Sequence, residues 1–272
     1  MKKYSLNTLL ILLLALMLYF GTKAYEHAML FEQHTKELVS HQGAEEQATR
    51  KLDLLAKSIL GGLYETKQVD LEPIRAKQRK SMQKAKTYTL YFMAAMLVVL
   101  LSYFFVSLRT FVIFGSLSAM MTLILGLVTP ILMVTIHKEV EYIGDIVLSF
   151  ESKGVIGSIA KLWESGDVIV ALVILLFSVL VPVLKVLSLL FVSVFMENRF
   201  THSIVKFFKM IGKWSMVDVF VVAVFLVYLT SNNADVSRAE VEVGLYFFLA
   251  YVIVSMLVSL SADKMLREKP RL

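Results

Sequence analysis

No cysteine occurs anywhere in the 272 residues. Disulfides, thiol chemistry and cysteine-ligated zinc are therefore excluded. The signatures of common enzymes are missing too: there is no G-x-S-x-G elbow, no phosphate-binding glycine loop and no H-E-x-x-H. The chain alone is not an ATPase, no enzyme activity is expected, and no cofactor or metal is called for. Nothing in it suggests nucleic-acid readout. Charge is scarce, at 18% of residues against 57% hydrophobic, and mean hydropathy is +0.70. Such a composition lies outside the range of soluble domains. His27, His34 and His41 recur at seven-residue spacing and can share a helical face. A polar helix stripe accounts for them as well as a metal site does, since no carboxylate pattern accompanies them.

What is present is a series of apolar stretches long enough to cross a bilayer, about 18 to 20 residues each. The expected fold class is all-α, a polytopic membrane protein of about six transmembrane helices. The N-terminal MKKYSLNTLLILLLALMLYFG carries two lysines and then an apolar core from Leu9 to Phe20. That core is long for a signal peptide, and GTKAYEHA offers no clean small-x-small cleavage site. Residues 1–22 therefore read as an uncleaved membrane anchor. Residues 23–86 are polar and helix-forming. Gly43 and Gly61-Gly62 act as breaks, and Pro73 suits the first turn of a new helix. Two or three helices, in a hairpin arrangement, are expected there, with Leu52, Leu55, Ile59 and Leu63 on a packing face. Five further spans are expected at 88–107, 111–136, 168–193, 214–231 and 244–262, followed by a tail, 263–272. Segment 87–110 is an additional span ahead of a four-span unit, 111–262.

Lys and Arg in short loops orient the spans. Lys2, Lys3, Arg109, Arg199, Lys206, Lys209, Lys213, Lys264, Arg267, Lys269 and Arg271 mark the inner side, and loops 137–167 and 232–243 are acid-rich. Both termini are expected in the cytoplasm. One cluster opposes this: Arg75, Lys77, Arg79, Lys80, Lys84 and Lys86 crowd the outer side before the span at 88. In loop 137–167, Ile156, Ile159, Ala160 and Trp163 fall on one helical face, as in an interfacial helix.

Two ionisable residues lie inside apolar runs. Lys185 sits about 12 Å from the inner end of its span, and Asp218 about 7 Å inside the next. A charge at such depth costs a few kcal/mol and faces a bundle interior or a wet cavity. The two spans are joined by a short loop, so Lys185 and Asp218 can form an ion pair or share a polar pocket. Either a packing device or a polar site on a substrate path fits. Pro182, one turn before Lys185, removes a backbone hydrogen bond, and Ser178 and Ser188 make part of the same face polar. Pro130, beside Thr129, is expected to kink the span 111–136 in the same way.

Three segments carry a family resemblance: TLILGLVTPILMV, KLWESGDVIVALVILLFSVLVPVLKVLSLL and GKWSMVDVFVVAVFLVYL. Together they resemble the paraquat-inducible protein A family, over about residues 111 to 262. The matching positions are Pro130; Gly166; Pro182 with Lys185; and Trp214, Ser215, Met216, Asp218, Val219 and Phe220. The resemblance implies a bacterial inner-membrane protein that handles phospholipid for periplasmic mammalian-cell-entry (MCE) proteins. It further implies that Lys185 and Asp218 line a headgroup pocket, with Lys185 near the phosphate. Many family members carry two such modules and cysteine-rich zinc ribbons. This chain has one module and no cysteine, so pairing with itself or with a sister chain is expected. Two other functions stay open: a non-transporting scaffold or stress-response protein that anchors a periplasmic partner through 23–86, and a proton-coupled exporter with Asp218 as carrier.

Overall fold

The computed structural model describes residues 2–41, 72–140, 144–194 and 237–267. Helix α1 (Lys2–His41) is followed by α2 (Glu72–Leu101), which runs into a short 3-10 turn. Next come α3 (Leu108–Val128), strands β1 (Leu132–Val140) and β2 (Gly144–Lys153), and α4 (Val155–Glu164). The span that follows comprises α5 (Val168–Ile174), a π turn (Leu175–Leu180) and α6 (Val181–Val194). Strand β3 (Ser237–Val241) and α7 (Val243–Arg267) complete the described chain. Five helical segments among the described residues are long and apolar enough to span a membrane. The protein is thus a multi-pass, α-helical membrane protein, as its composition predicts. The expected span 214–231 lies outside the described residues, as do Leu52, Leu55, Ile59 and Leu63.

The helix over the expected anchor continues without a break from Lys2 into the polar segment up to His41, and α2 likewise runs through residue 87. At 40 and 30 residues, these helices are about 60 and 45 Å long. They outreach the roughly 30 Å hydrocarbon layer. They pair antiparallel. The buried positions of α1 are Leu10, Leu14, Met17, Gly21, Ala24, Ala28, Phe31, Thr35 and Leu38, alternating steps of four and three. That spacing is the heptad of a coiled-coil seam. Gln78 Nε2 donates to Thr35 Oγ1 at 2.8 Å, and the His27 ring stacks on Tyr88 at 5.5 Å. Tyr19, Phe20, Tyr88 and Tyr91 make a chain of ring contacts where the apolar halves of both helices give way to polar ones. Aromatics gather in this way at membrane–water interfaces.

Helix α3 packs on α7 through small residues. Gly115, Ala119, Thr122 and Gly126 recur at steps of four, three and four and are all buried. In lipid, close approach of this kind replaces the hydrophobic drive that joins helices in water. A Cβ on Gly126 would lie 2.8 Å from the Phe248 backbone nitrogen, so only glycine permits this spacing.

The expected kink at Pro130 is not found. The helix ends at Val128, and Thr129 is extended, with φ −80° and ψ 143°. The cause is local: proline disfavours helical geometry in the residue before it. The chain then enters β1, so the span ends well before residue 136. A three-stranded antiparallel sheet, in the order β2-β1-β3, sits at this end of α3 as an addition to the helical body. It lies on the same side as the polar halves of α1 and α2, because Val243 clusters with Ala28 and Ala85. The expected interfacial helix is α4, with Ile156 and Trp163 exposed. Gly166, at φ +88°, makes the left-handed turn into α5.

Gly126→Ala is expected to destabilise the detergent-solubilised protein by about 1–3 kcal/mol through overpacking. Gly157→Ala, with nothing within 4 Å of the new methyl, serves as the control in the same thermal unfolding assay. Thr35→Cys/Gln78→Cys, in a chain without other thiols, is expected to be joined by a short bifunctional thiol reagent. Failure to join them would contradict the pairing of α1 with α2.

Candidate functional site within the membrane

Lys185 lies on α6 and is 2% exposed. It is nine residues from Val194, the end of α6, or about 13 Å along the axis. Its Nζ donates to Ser255 Oγ of α7 at 3.3 Å. Ser255 Oγ in turn donates to the Val252 carbonyl at 3.1 Å, so the serine oxygen is held towards the lysine. A cation at this depth costs a few kcal/mol unless neighbouring dipoles meet it, and Ser255 supplies one such dipole.

The backbone before Lys185 departs from α-helical geometry. Pro182 has no N–H to give to a carbonyl one turn back. Over Leu175–Leu180 the helix widens to π geometry, and Val181 N–H reaches the Leu176 carbonyl, five residues back. Turns of this kind concentrate at functional sites. Ser178 lies within the widened turn and is buried, and Pro182 is buried one turn before the lysine. The Pro182 carbonyl accepts from Tyr251 Oη of α7 at 3.4 Å. Ser188 is half-buried. Ser178, Pro182 and Lys185 are all buried, and Pro182 and Lys185 both meet α7.

Thr129 and Pro130 are not part of this region. The Pro130 carbonyl accepts from Gly244 N at 2.9 Å, and Gly244 precedes Ser255 by eleven residues, about 16 Å along α7. Thr129 is fully buried there, and its Oγ1 has no hydrogen-bond partner among the described residues. Asp218, Trp214, Ser215 and Met216 lie outside the described residues.

Sequence reasoning missed Ser255 and Tyr251. Their four-residue spacing on the last span is the signal that could have identified them. It also missed Glu242, which is 3% exposed at the start of α7. A helix N-terminus favours a carboxylate at that position. At the opposite end of the bundle, Arg109 clamps α6. Its Nε and Nη2 donate to the Ser193 and Val194 carbonyls, both at 3.0 Å, and Ser193 Oγ donates back to the Arg109 carbonyl at 3.2 Å.

The architecture defines a multi-pass membrane protein with a lysine buried between a π-bulged, proline-bearing span and its neighbour. The family profile described as Paraquat-inducible protein A matches residues 109–267, more than half of the chain. The chain belongs to that family. It is 27% identical over 117 residues to a "Probable intermembrane transport protein" of Haemophilus influenzae, covering 41% of this chain and 28% of that one. It is 26% identical over 125 residues to "Intermembrane transport protein PqiA" of Escherichia coli K12, covering 44% of this chain and 30% of the relative. The alignments therefore span less than a third of the length of these relatives. No solved structure matches the chain significantly.

Ser255→Ala deprives the buried Lys185 Nζ of an acceptor and is expected to cost about 1–3 kcal/mol, as for a buried polar group left without its partner. Tyr251→Phe breaks a longer, neutral bond and is expected to cost about 0.5–1 kcal/mol. Thermal unfolding in detergent checks both values. Equal and negligible effects would mean that these contacts do not hold α6 to α7.

Proposed function

We propose that this protein is a membrane subunit of a phospholipid-trafficking system of the bacterial inner membrane, exchanging lipid with a periplasmic tunnel protein of the MCE type. The observation that carries this reading is Lys185, buried beside a π turn and a proline on a span that matches the family profile. An ammonium held in a low-dielectric bundle is a point charge suited to a phosphate headgroup. In this reading Asp218, next in the family motif, holds the lysine or neutralises it when no headgroup is present. Ser178 and Ser188 extend the polar face, and Thr129 with Pro130 ends the preceding span at the level where headgroups lie. Relatives named for intermembrane transport support the direction of the proposal. Both termini lie in the cytoplasm. A single module works with a second copy of itself or with a sister subunit.

A second reading, a scaffold anchoring a periplasmic partner, draws on the long α1–α2 pair. The two are separated by photocrosslinking in cells. A photoreactive residue is placed at Ser178, Val181 or Ser188, with Ile253, half-exposed on the lipid-facing side of α7, as control. Capture of labelled phospholipid well above the control, lowered several-fold by Lys185→Ala at equal protein level, is the expected result. Equal capture at every position would reduce the lipid to an annular shell and leave Lys185 as a packing device.

A further inference from the structure

We infer that the polar halves of α1 and α2 form a rigid arm whose basic flanks dock an acidic, water-soluble protein surface held above the bilayer. This stands apart from the lipid reading and does not depend on Lys185. The arm begins at the aromatic belt around Phe20 and Tyr88 and includes residues 22–41 and 72–87. Its stiffness comes from two continuous helices sharing a heptad seam, with small residues Ala24, Ala28, Ser81 and Ala85 buried along it.

The charge on the α2 half of the arm is one-sided, whereas the α1 half carries Lys23 and Lys36 against Glu26, Glu32 and Glu37. Between residues 72 and 87 there is a single acid, Glu72, against Arg75, Lys77, Arg79, Lys80, Lys84 and Lys86. Glu72 pairs with Arg75 at 3.1 Å. Lys77, Arg79, Lys80, Lys84 and Lys86 are exposed, and none of them is in an ion pair with a described residue. Together with the half-buried Arg75 they lie in two rows, one of Lys77, Lys80 and Lys84 and the other of Arg75, Arg79 and Lys86, flanking the buried seam.

Height above the membrane separates the possible occupants. Lys84 is about 6 Å from Tyr88 along the axis, Lys80 and Arg79 about 12–13 Å, and Lys77 about 16 Å. The headgroup zone extends only about 5–8 Å beyond the hydrocarbon on each side. Lys84 and Lys86 therefore meet the phosphates of the bilayer, whereas Lys77, Arg79 and Lys80 stand above them. A lipid drawn up along the arm would need apolar cover for its chains. Among the described arm residues, Leu30 alone is an exposed large apolar side chain. An acidic protein surface needs no such cover. It would meet a row of cations that attracts it over about a Debye length, 8–10 Å in physiological salt.

The test uses the full chain in its own cells. A photoreactive residue at Ala76 or Gln83 lies between the two rows, and both positions are exposed. The expected product at Ala76 is a protein adduct whose captured segment is net acidic. Lys77→Glu/Arg79→Glu/Lys80→Glu is expected to lower its yield at least tenfold. Changing the acids of the captured segment to lysine in that background is expected to restore it. Joining of Thr35→Cys to Gln78→Cys in the same background shows that the arm is intact. If reversal breaks the arm, the Gln versions of the three residues take its place, with a smaller expected loss. A lipid adduct alone, a protein adduct indifferent to these charges, or no adduct at all would overturn the inference. Each of these outcomes leaves the Lys185 crosslinking result unaffected.

Discussion

Within a bilayer, burial of apolar side chains gives helices little reason to associate, because lipid is as apolar as leucine. The close contact of α3 with α7 takes over that role, and the rest of the bundle depends on it. With no side chain at Gly126, α3 comes against the Phe248 backbone. That fixes the height of α7 relative to α3. It brings Gly244 under the Pro130 carbonyl, aligns β3 with β1, and sets Ser255 opposite Lys185. A wider spacing would leave each of these polar contacts without its partner, in surroundings where an unmet polar group is costly.

Polar groups are placed at three levels of this frame. At one end, the guanidinium of Arg109 donates to the Ser193 and Val194 carbonyls of α6. At the other, the sheet takes up the backbone where α3 stops at Thr129. Between them lies Lys185, whose burial has no comparable structural necessity, since an apolar residue would pack there without desolvation cost.

The helical body was legible because hydropathy and length decide what can cross a membrane. Helical spacing put Lys185, Pro182 and Ser178 on one face of their span, but the contact of Lys185 with Ser255 was not legible. The interfacial helix around Trp163 was legible through its one-sided apolar face. The sheet was not, although VTIHKEV and DIVLSF alternate and are rich in β-branched residues. Its charges drew attention as a loop, and its third strand comes from almost a hundred residues further on, which no local pattern reveals. Pro130 was misread because a proline inside an apolar run suits a kink as well as an end. The decision belongs to Thr129, whose extended backbone hands the chain to β1. Ser255 and Tyr251 carried too little polarity to stand out within their span.

The ladder between β1 and β3 has a mechanical consequence. It pairs five residues, Leu132 to Ile136, with Val241 to Ser237, and the small-residue contact fastens the helices that continue from them. The third span and the last are thus a single beam, clasped along its length and riveted at one end. The segment 168–194 has no strand of its own in that clasp. Its π turn is where the hydrogen-bond register lengthens by one residue ahead of Lys185. The piece that carries Lys185 thus lies between this turn and the Arg109 clamp, which ties its far end to the beam.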